Sequence, residues 1–279
     1  MLKETIKHLF KRNPQSYKAL FLDYPISPVP RYEYGHNYHK RLKDILDKSR
    51  DKYIDLLNRF TGFYDYLKRI PYNMINTVDP YWSNGYFPPL DALALYCIIA
   101  STKPQHYVEI GSGNSTKFAK RTIKDFSLNT KITCIDPKPR SEIAKIADEI
   151  IYSQCETVSL DLFLSLEPGD ILFIDGSHRC FMNSDVTTVF LDIIPDLKHG
   201  ILIHFHDIYL PYDYPVELKE LFYSEQYLLA VMLLSMPEPD VLFPACFIQS
   251  DPELMGILRP VIETLSNTKF HGGSFWVRK

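Results

Sequence analysis

The sequence of 279 residues has no Cys-x-x-Cys pair. Its five cysteines, Cys97, Cys134, Cys155, Cys180 and Cys246, are dispersed and odd in number. That excludes a disulfide framework and a zinc knuckle, and it predicts a reduced, cytoplasmic protein. A basic excess is also missing: 31 Lys and Arg against 34 Asp and Glu leave a net charge of -3. The electrostatic footprint of a nucleic-acid binder is therefore absent. No stretch approaches the roughly 18 unbroken apolar residues of a membrane span. Met1 to Gln15 lacks the apolar core and small residues of a secretory leader. What is present, 46% hydrophobic and 23% charged residues, is an ordinary globular composition that can bury one large core with a small added subdomain.

Three zones follow along the chain. Residues 1–80 are charged and aromatic, broken by Pro28, Pro30 and Pro71, and read as a helical N-terminal extension or lid. The start is a basic amphipathic segment, with Leu2, Ile6, Leu9 and Phe10 beside Lys3, Lys7 and Lys11, suited to packing or to a membrane or partner helix. From His39 to Ile70 the apolar residues Leu42, Leu46, Tyr53, Leu56, Phe60, Phe63 and Leu67 recur at steps of three and four, broken only at Ser49. One apolar stripe must be covered: by the catalytic domain itself, by a second copy in a homodimer, or as a lid over a site.

Residues 81–279 alternate helix and strand. The pattern predicts a helix over 90–101 and strands over 106–111, 131–136, 149–153, 170–176 and 201–206, with helices between them. Later come a helix over 224–234, a strand over 241–249, a helix over 252–265 and a last strand over 274–278. This is an α/β chain with a mostly parallel, Rossmann-like sheet and helices on both faces. Ligands in such folds bind at the carboxyl ends of the strands.

The first strand ends in Glu109-Ile-Gly111-Ser-Gly113, which lets the backbone approach a ligand closely. A dinucleotide fingerprint needs a third glycine three residues on, where Thr116 stands, and Glu109 would repel a pyrophosphate. The turn therefore suits a different cofactor. Asp136 ends the second strand about 25 residues after Gly111, the spacing at which an acid accepts hydrogen bonds from ribose hydroxyls. Gln154, after the third strand, stands where an adenine edge would lie. The fourth delivers Asp175 and His178; the fifth delivers His204, His206 and Asp207. Period two sets His204 and His206 on one face and Asp207 on the other. His204 reads as a core histidine. His206, at the mouth, has the titration range of a general base, and Asp175 with Asp207 could supply two oxygens to a magnesium ion.

Glu109-Ile-Gly-Ser-Gly-Asn-Ser-Thr, Ile135-Asp136-Pro137, Phe173-Ile-Asp-Gly-Ser-His178 and His206-Asp207 stand in an order and spacing that resemble the class I S-adenosylmethionine-dependent methyltransferases. The likeness is greatest to bacterial small-molecule enzymes of the macrocin and catechol O-methyltransferase type, over about residues 82–279. It implies a seven-stranded sheet and S-adenosylmethionine bound by Glu109, Gly111, Gly113, Ser115, Asp136, Gln154 and Asp175. Ser115 stands where many members have a third glycine. The resemblance further implies in-line methyl transfer to a small-molecule hydroxyl (sugar, polyketide or phenol), with His206, His178 and Asp175 as the catalytic candidates. In metal-dependent relatives the acids after the fourth and fifth strands bind Mg2+, here Asp175 and Asp207; Ile208 replaces the usual third ligand. A non-catalytic cofactor-binding or partner-binding protein is the alternative reading.

Overall fold

Seven strands carry the molecule in a computed structural model that describes residues 24–265 and 269–279. The basic amphipathic start from Leu2 to Lys11 lies outside the described residues. The strands are β1 (His106–Ile110), β2 (Lys131–Ile135), β3 (Glu149–Ile151), β4 (Ile171–Ile174), β5 (Leu202–Phe205), β6 (Asp240–Pro244) and β7 (Phe275–Arg278). They form one sheet in the order β3-β2-β1-β4-β5-β7-β6. β1 to β5 run parallel and β7 is antiparallel to both its neighbours. β4 and β5 are buried throughout, as parallel strands covered on both faces must be.

The chain moves outward from β1 through β2 to β3, then returns to lay β4 on the other side of β1. Right-handed crossovers put the connections of these two halves on opposite faces. α5 (Asn114–Asp125) links β1 to β2, α6 (Asp161–Leu164) precedes β4, and α7 (Asp185–Thr188) leads towards β5. The reversal between β1 and β4 is the topological switch point, where such sheets open a crevice. α4 (Pro89–Thr102) packs along α5 and, apart from Asp91, is apolar on every face from Pro89 to Ala100, so each of these residues is buried.

The N-terminal stripe is covered by the chain itself. It forms three helices: α1 (Lys40–Asp47), α2 (Arg50–Thr61) and α3 (Tyr64–Leu67). α1 lies on α8 (Glu225–Ser235), and α2 on α4, β6 and α10 (Pro252–Ile257). Leu42, Leu46, Tyr53, Phe60 and Leu67 are buried as the spacing predicts, but Leu57 rather than Leu56 carries the stripe across the break at Ser49. Burying a side chain such as Leu57 or Phe60 contributes about 1.5–3 kcal/mol. Arg50 then pairs with Asp251 at 2.5 Å and Glu253 at 2.7 Å, fixing the register of α2 on α10.

Two later elements differ from the sequence pattern. The strand predicted over 241–249 stops at Pro244, and Ala245–Gln249 coils into the short helix α9. A continuous apolar run does not distinguish a buried strand from a buried helix. The helix predicted over 252–265 is two, because Pro260 sits at the start of α11 (Arg259–Thr264), where its missing N–H does no harm. Among the described residues no helix is long and apolar enough to cross a membrane.

Candidate active site

The turn after β1 is shaped by a contact that only glycine allows. Gly111 has φ +83, and a Cβ there would lie 2.1 Å from the carbonyl oxygen of Asp175, so the ends of β1 and β4 touch at the switch point. Gly113 differs: its backbone is extended, and open space stands where a Cβ would be. The sequence pattern treats the two glycines alike; the structure separates a packing glycine from an access glycine.

Glu109, expected to line the cofactor, is 0% exposed and turned into the protein. Its carboxylate accepts the hydroxyl protons of Ser115 and of Thr116, the latter at 2.5 Å. Thr116 in turn accepts the Gly113 N–H at 3.0 Å. Glu109 and Ser115 therefore staple the turn to the first turn of α5 and present no charge to the crevice. Burial lifts the Glu109 carboxyl to about 7 against the pull of these hydroxyls. Asp136 stays at the crevice, accepting from Ser112 Oγ at 2.6 Å and from the Lys138 N–H at 2.8 Å. Gln154 is exposed beyond β3, at the far edge of the sheet.

Beside the turn, the ends of β4 and β5 bring Asp175, His178, His206 and Asp207 together. Asp175 Oδ1 lies 3.4 Å from His178 Nε2 and 3.3 Å from His206 Nδ1. Asp207 lies 3.6 Å from His178 and 3.8 Å from His206. Strand alternation predicts Asp207 on the face away from His206, but the strand ends at Phe205 and Asp207 takes φ +52, which returns its side chain to the cluster. His178 also takes a left-handed conformation, φ +57. Such backbone is sparsely populated outside glycine and persists where the surroundings impose it.

Burial opposes charge on both outer rings, yet the carboxylates outweigh it. Asp175 and Glu225 push His178 up to about 10, and Asp175, Asp91 and Asp207 hold His206 well above its ordinary value. Burial would raise Asp175 too, but His206 and His178 hold it well below the usual carboxylate range. The direction at His206 is opposite to the one that would favour a neutral resting base, because carboxylates surround the ring. His204 is a core residue, as expected. Its ring stacks on Phe173 at 3.7 Å and bonds Ser274 at 2.8 Å, and burial with the charge of His206 lowers its pKa.

Two acids complete the cluster from distant elements. Glu225 of α8 is 0% exposed and sits 2.8 Å from His178 Nδ1. Asp91 of α4, which sequence reasoning missed, accepts the Gly273 and Ser274 N–H groups at 2.8 Å each and lies 3.4 Å from His206 Nε2. The signal was present: Asp91 is the one charged residue in an otherwise apolar helix. Gln226 clamps the loop after β5, accepting the Tyr209 N–H at 2.9 Å.

Phe87 covers the cluster, its ring 5.5 Å from His206 and 6.0 Å from Phe173. Its segment is tied to the glycine turn through Asn84, which accepts from Asn114 Nδ2 at 3.1 Å. On the other side Tyr223 packs on His178 at 4.7 Å and forms a wall of a cavity of about 390 Å3. Residues Ser27 to Arg31 also line this cavity.

Residues 108–208 match the family model of a methyltransferase domain. An uncharacterized protein of Archaeoglobus fulgidus is 28% identical over 134 residues, which are 46% of this chain and 60% of that protein. The chain thus spans about 60% of the length of the curated relative it matches. A Podospora anserina methyltransferase bound to SAH is similar in structure, with 17% identity, 66% of this chain and 82% of that chain covered and a TM-score of 0.41. An O-methyltransferase from Bacillus cereus in complex with SAH has 15% identity, 86% and 96% coverage and a TM-score of 0.34. Residues 108–208 are thus similar to a methyltransferase domain, and they lie in a seven-stranded, mostly parallel, Rossmann-like sheet.

Proposed function

We propose that the chain transfers a methyl group from S-adenosylmethionine to the hydroxyl of a small molecule (a sugar, polyketide or phenol) by in-line displacement. The carrying observation is the contact between Gly111 and Asp175, which joins the glycine turn to the charged cluster with no element between them. Donor and acceptor sites built on two touching strand ends have the fixed alignment that a displacement requires.

The residues fit the cofactor. Open space above Gly113 admits a ligand against the backbone, and Asp136 offers a carboxylate to ribose hydroxyls. Gly111, Gly113 and Asp136 are assigned to it, with Asp175 at the boundary of the two sites; Gln154 is kept as a contact for the adenine edge. When bound, S-adenosylmethionine supplies an electrophilic methyl group on a sulfonium. His206 and His178 are assigned the acceptor hydroxyl, their ring N–H groups holding the oxygen as negative charge develops. Asp175 and Asp207 orient that hydroxyl, and Asp207 takes its proton as the methyl–oxygen bond forms and the donor sulfur leaves as a neutral thioether. Phe87 and Phe173 keep water from the reacting atoms, which strengthens each of these interactions. Ser27–Arg31 and Tyr223 flank the acceptor, so the N-terminal segment serves as a lid as well as packing. The five unpaired cysteines suit a reducing, cytoplasmic setting.

Methyl-labelled S-adenosylmethionine incubated with panels of hydroxylated and amine-bearing small molecules tests this reading. Label recovered in methyl ethers supports it. Label recovered only in amines or in nucleic acid, from protein that binds the cofactor, would overturn hydroxyl transfer.

A further inference from the structure

Magnesium, implied on Asp175 and Asp207 by the resemblance, does not fit this pocket. Mg2+ demands six oxygens in a tight octahedron and keeps several waters. Here two imidazole nitrogens share the space between the carboxylates, and Ile208, 1% exposed, replaces the third oxygen ligand. We propose instead that Asp175, His178 and His206 bind a divalent transition ion of the zinc type, with Asp207 at the fourth corner.

The spacing carries the assignment. Donors bound at about 2.0–2.1 Å to one tetrahedral ion stand about 3.3–3.4 Å apart. Asp175 Oδ1 is 3.4 Å from His178 Nε2 and 3.3 Å from His206 Nδ1, and the three ligand atoms all lie within 4.8 Å of one another. A direct charge-assisted N–H···O bond would be shorter, about 2.7–2.9 Å. The other nitrogen of His178 makes such a bond to Glu225, at 2.8 Å, so the wider spacing at Asp175 belongs to that point and not to the ring.

The surroundings agree. Metal-bound histidines direct their second nitrogen to a carboxylate that fixes the ring and raises its basicity. His178 Nδ1 has Glu225, and His206 Nε2 has Asp91 at 3.4 Å, both acids fully buried. Every ionic contact of the two rings is to a carboxylate, four in all: Asp91, Asp175, Asp207 and Glu225. Four negative groups against two rings leave an excess of negative charge that a divalent cation would neutralise. The two histidine side chains, 5% and 4% exposed, form the floor, while Asp175 and Asp207, 35% and 27% exposed, form the mouth. An imidazole and carboxylate set prefers zinc and its neighbours to magnesium.

The metal claim does not rest on the methyl-transfer reading, but it shares Asp175, His178 and His206 with the proposed acceptor site, where a bound ion would hold the acceptor oxygen in place of the ring N–H groups. Tag-free protein, stripped by a chelator, is titrated with Zn2+ and separately with Mg2+, read by metal analysis after dialysis and by thermal melting. One Zn2+ per chain, a raised Tm, tetrahedral visible bands with Co2+ and no response to Mg2+ are expected. His178→Ala and His206→Ala should weaken Zn2+ by about 100-fold or more, and Glu225→Gln by about 10–100-fold. Absence of stoichiometric Zn2+ and Co2+ binding by the parent overturns the site, as does unchanged Zn2+ affinity in the two histidine variants or Mg2+ binding as tight as Zn2+. Where the variants do not fold, the Co2+ spectrum of the parent decides. Calorimetry with S-adenosylmethionine on the stripped sample separates the two readings. Cofactor binding without Zn2+ binding overturns only the metal site, and Zn2+ binding without cofactor binding supports it while removing the methyl-transfer reading.

Discussion

Gly111 and Gly113 occupy one turn but are held there by different physics, and substitution separates them. In Gly111→Ala the new Cβ meets the Asp175 carbonyl at a left-handed backbone position. A stability loss of about 2 kcal/mol or more is expected in denaturant unfolding. Gly113→Ala meets open space on an extended backbone, so stability should change by about 0.5 kcal/mol or less while cofactor affinity falls. Glu109 gives a pH signature. Its folded pKa, about 7, is raised above the ordinary carboxylate value. Its contribution is therefore fully present below about pH 4 and is lost as pH rises through 7, by up to ~3 kcal/mol. Unfolding of Glu109→Gln and the parent compared at pH 5 and pH 8 should show the variant gaining relative stability at pH 8; parallel pH profiles would contradict the buried, raised carboxyl. At this scale the sequence was partly legible. Asp136, Asp175, His178 and His206 could be found because short apolar strands deliver them to one edge. The inward turn of Glu109 and the return of Asp207 could not, since both depend on local backbone and on hydroxyls whose partners periodicity does not reveal.

The elements were legible where one force dominates. Apolar runs bounded by polar turns gave β1 to β5, and α4, apolar but for Asp91 and its last turn, followed from its length. Ambiguity arose where competing forms bury the same residues, as at Pro244, where a strand becomes α9. The stripe on α2 illustrates the same limit: steps of three and four fit Leu56 and Leu57 equally well, and the break at Ser49 decides between them. Leu57→Ala should cost about 2–5 kcal/mol, and Leu56→Ala, half-buried, less than half as much. Equal losses in thermal or denaturant melts would show that α2 is rotated from the packing described. Of the three ways to cover the stripe, packing on the chain's own domain is the one that buries Leu42, Leu46, Tyr53, Leu57, Phe60 and Leu67.

For the whole molecule, the order of the sheet determines what the site contains. Right-handed crossovers allow β4 to return beside β1, and that reversal brings the glycine turn against Asp175. The α/β rhythm put both at the carboxyl edge of one sheet, and the family resemblance implied that they share a cofactor. The sequence did not foretell that Asp91 and Glu225, from helices far apart in the chain, would close over the two histidines, because nothing local in either helix names its partner. Calorimetric titration of the intact protein with S-adenosylmethionine addresses the central claim most directly. Saturable binding of one molecule per chain is expected, weakened about tenfold or more in Asp136→Ala through lost hydrogen bonds to the ribose. A folded parent protein that gives no saturable binding would contradict the account.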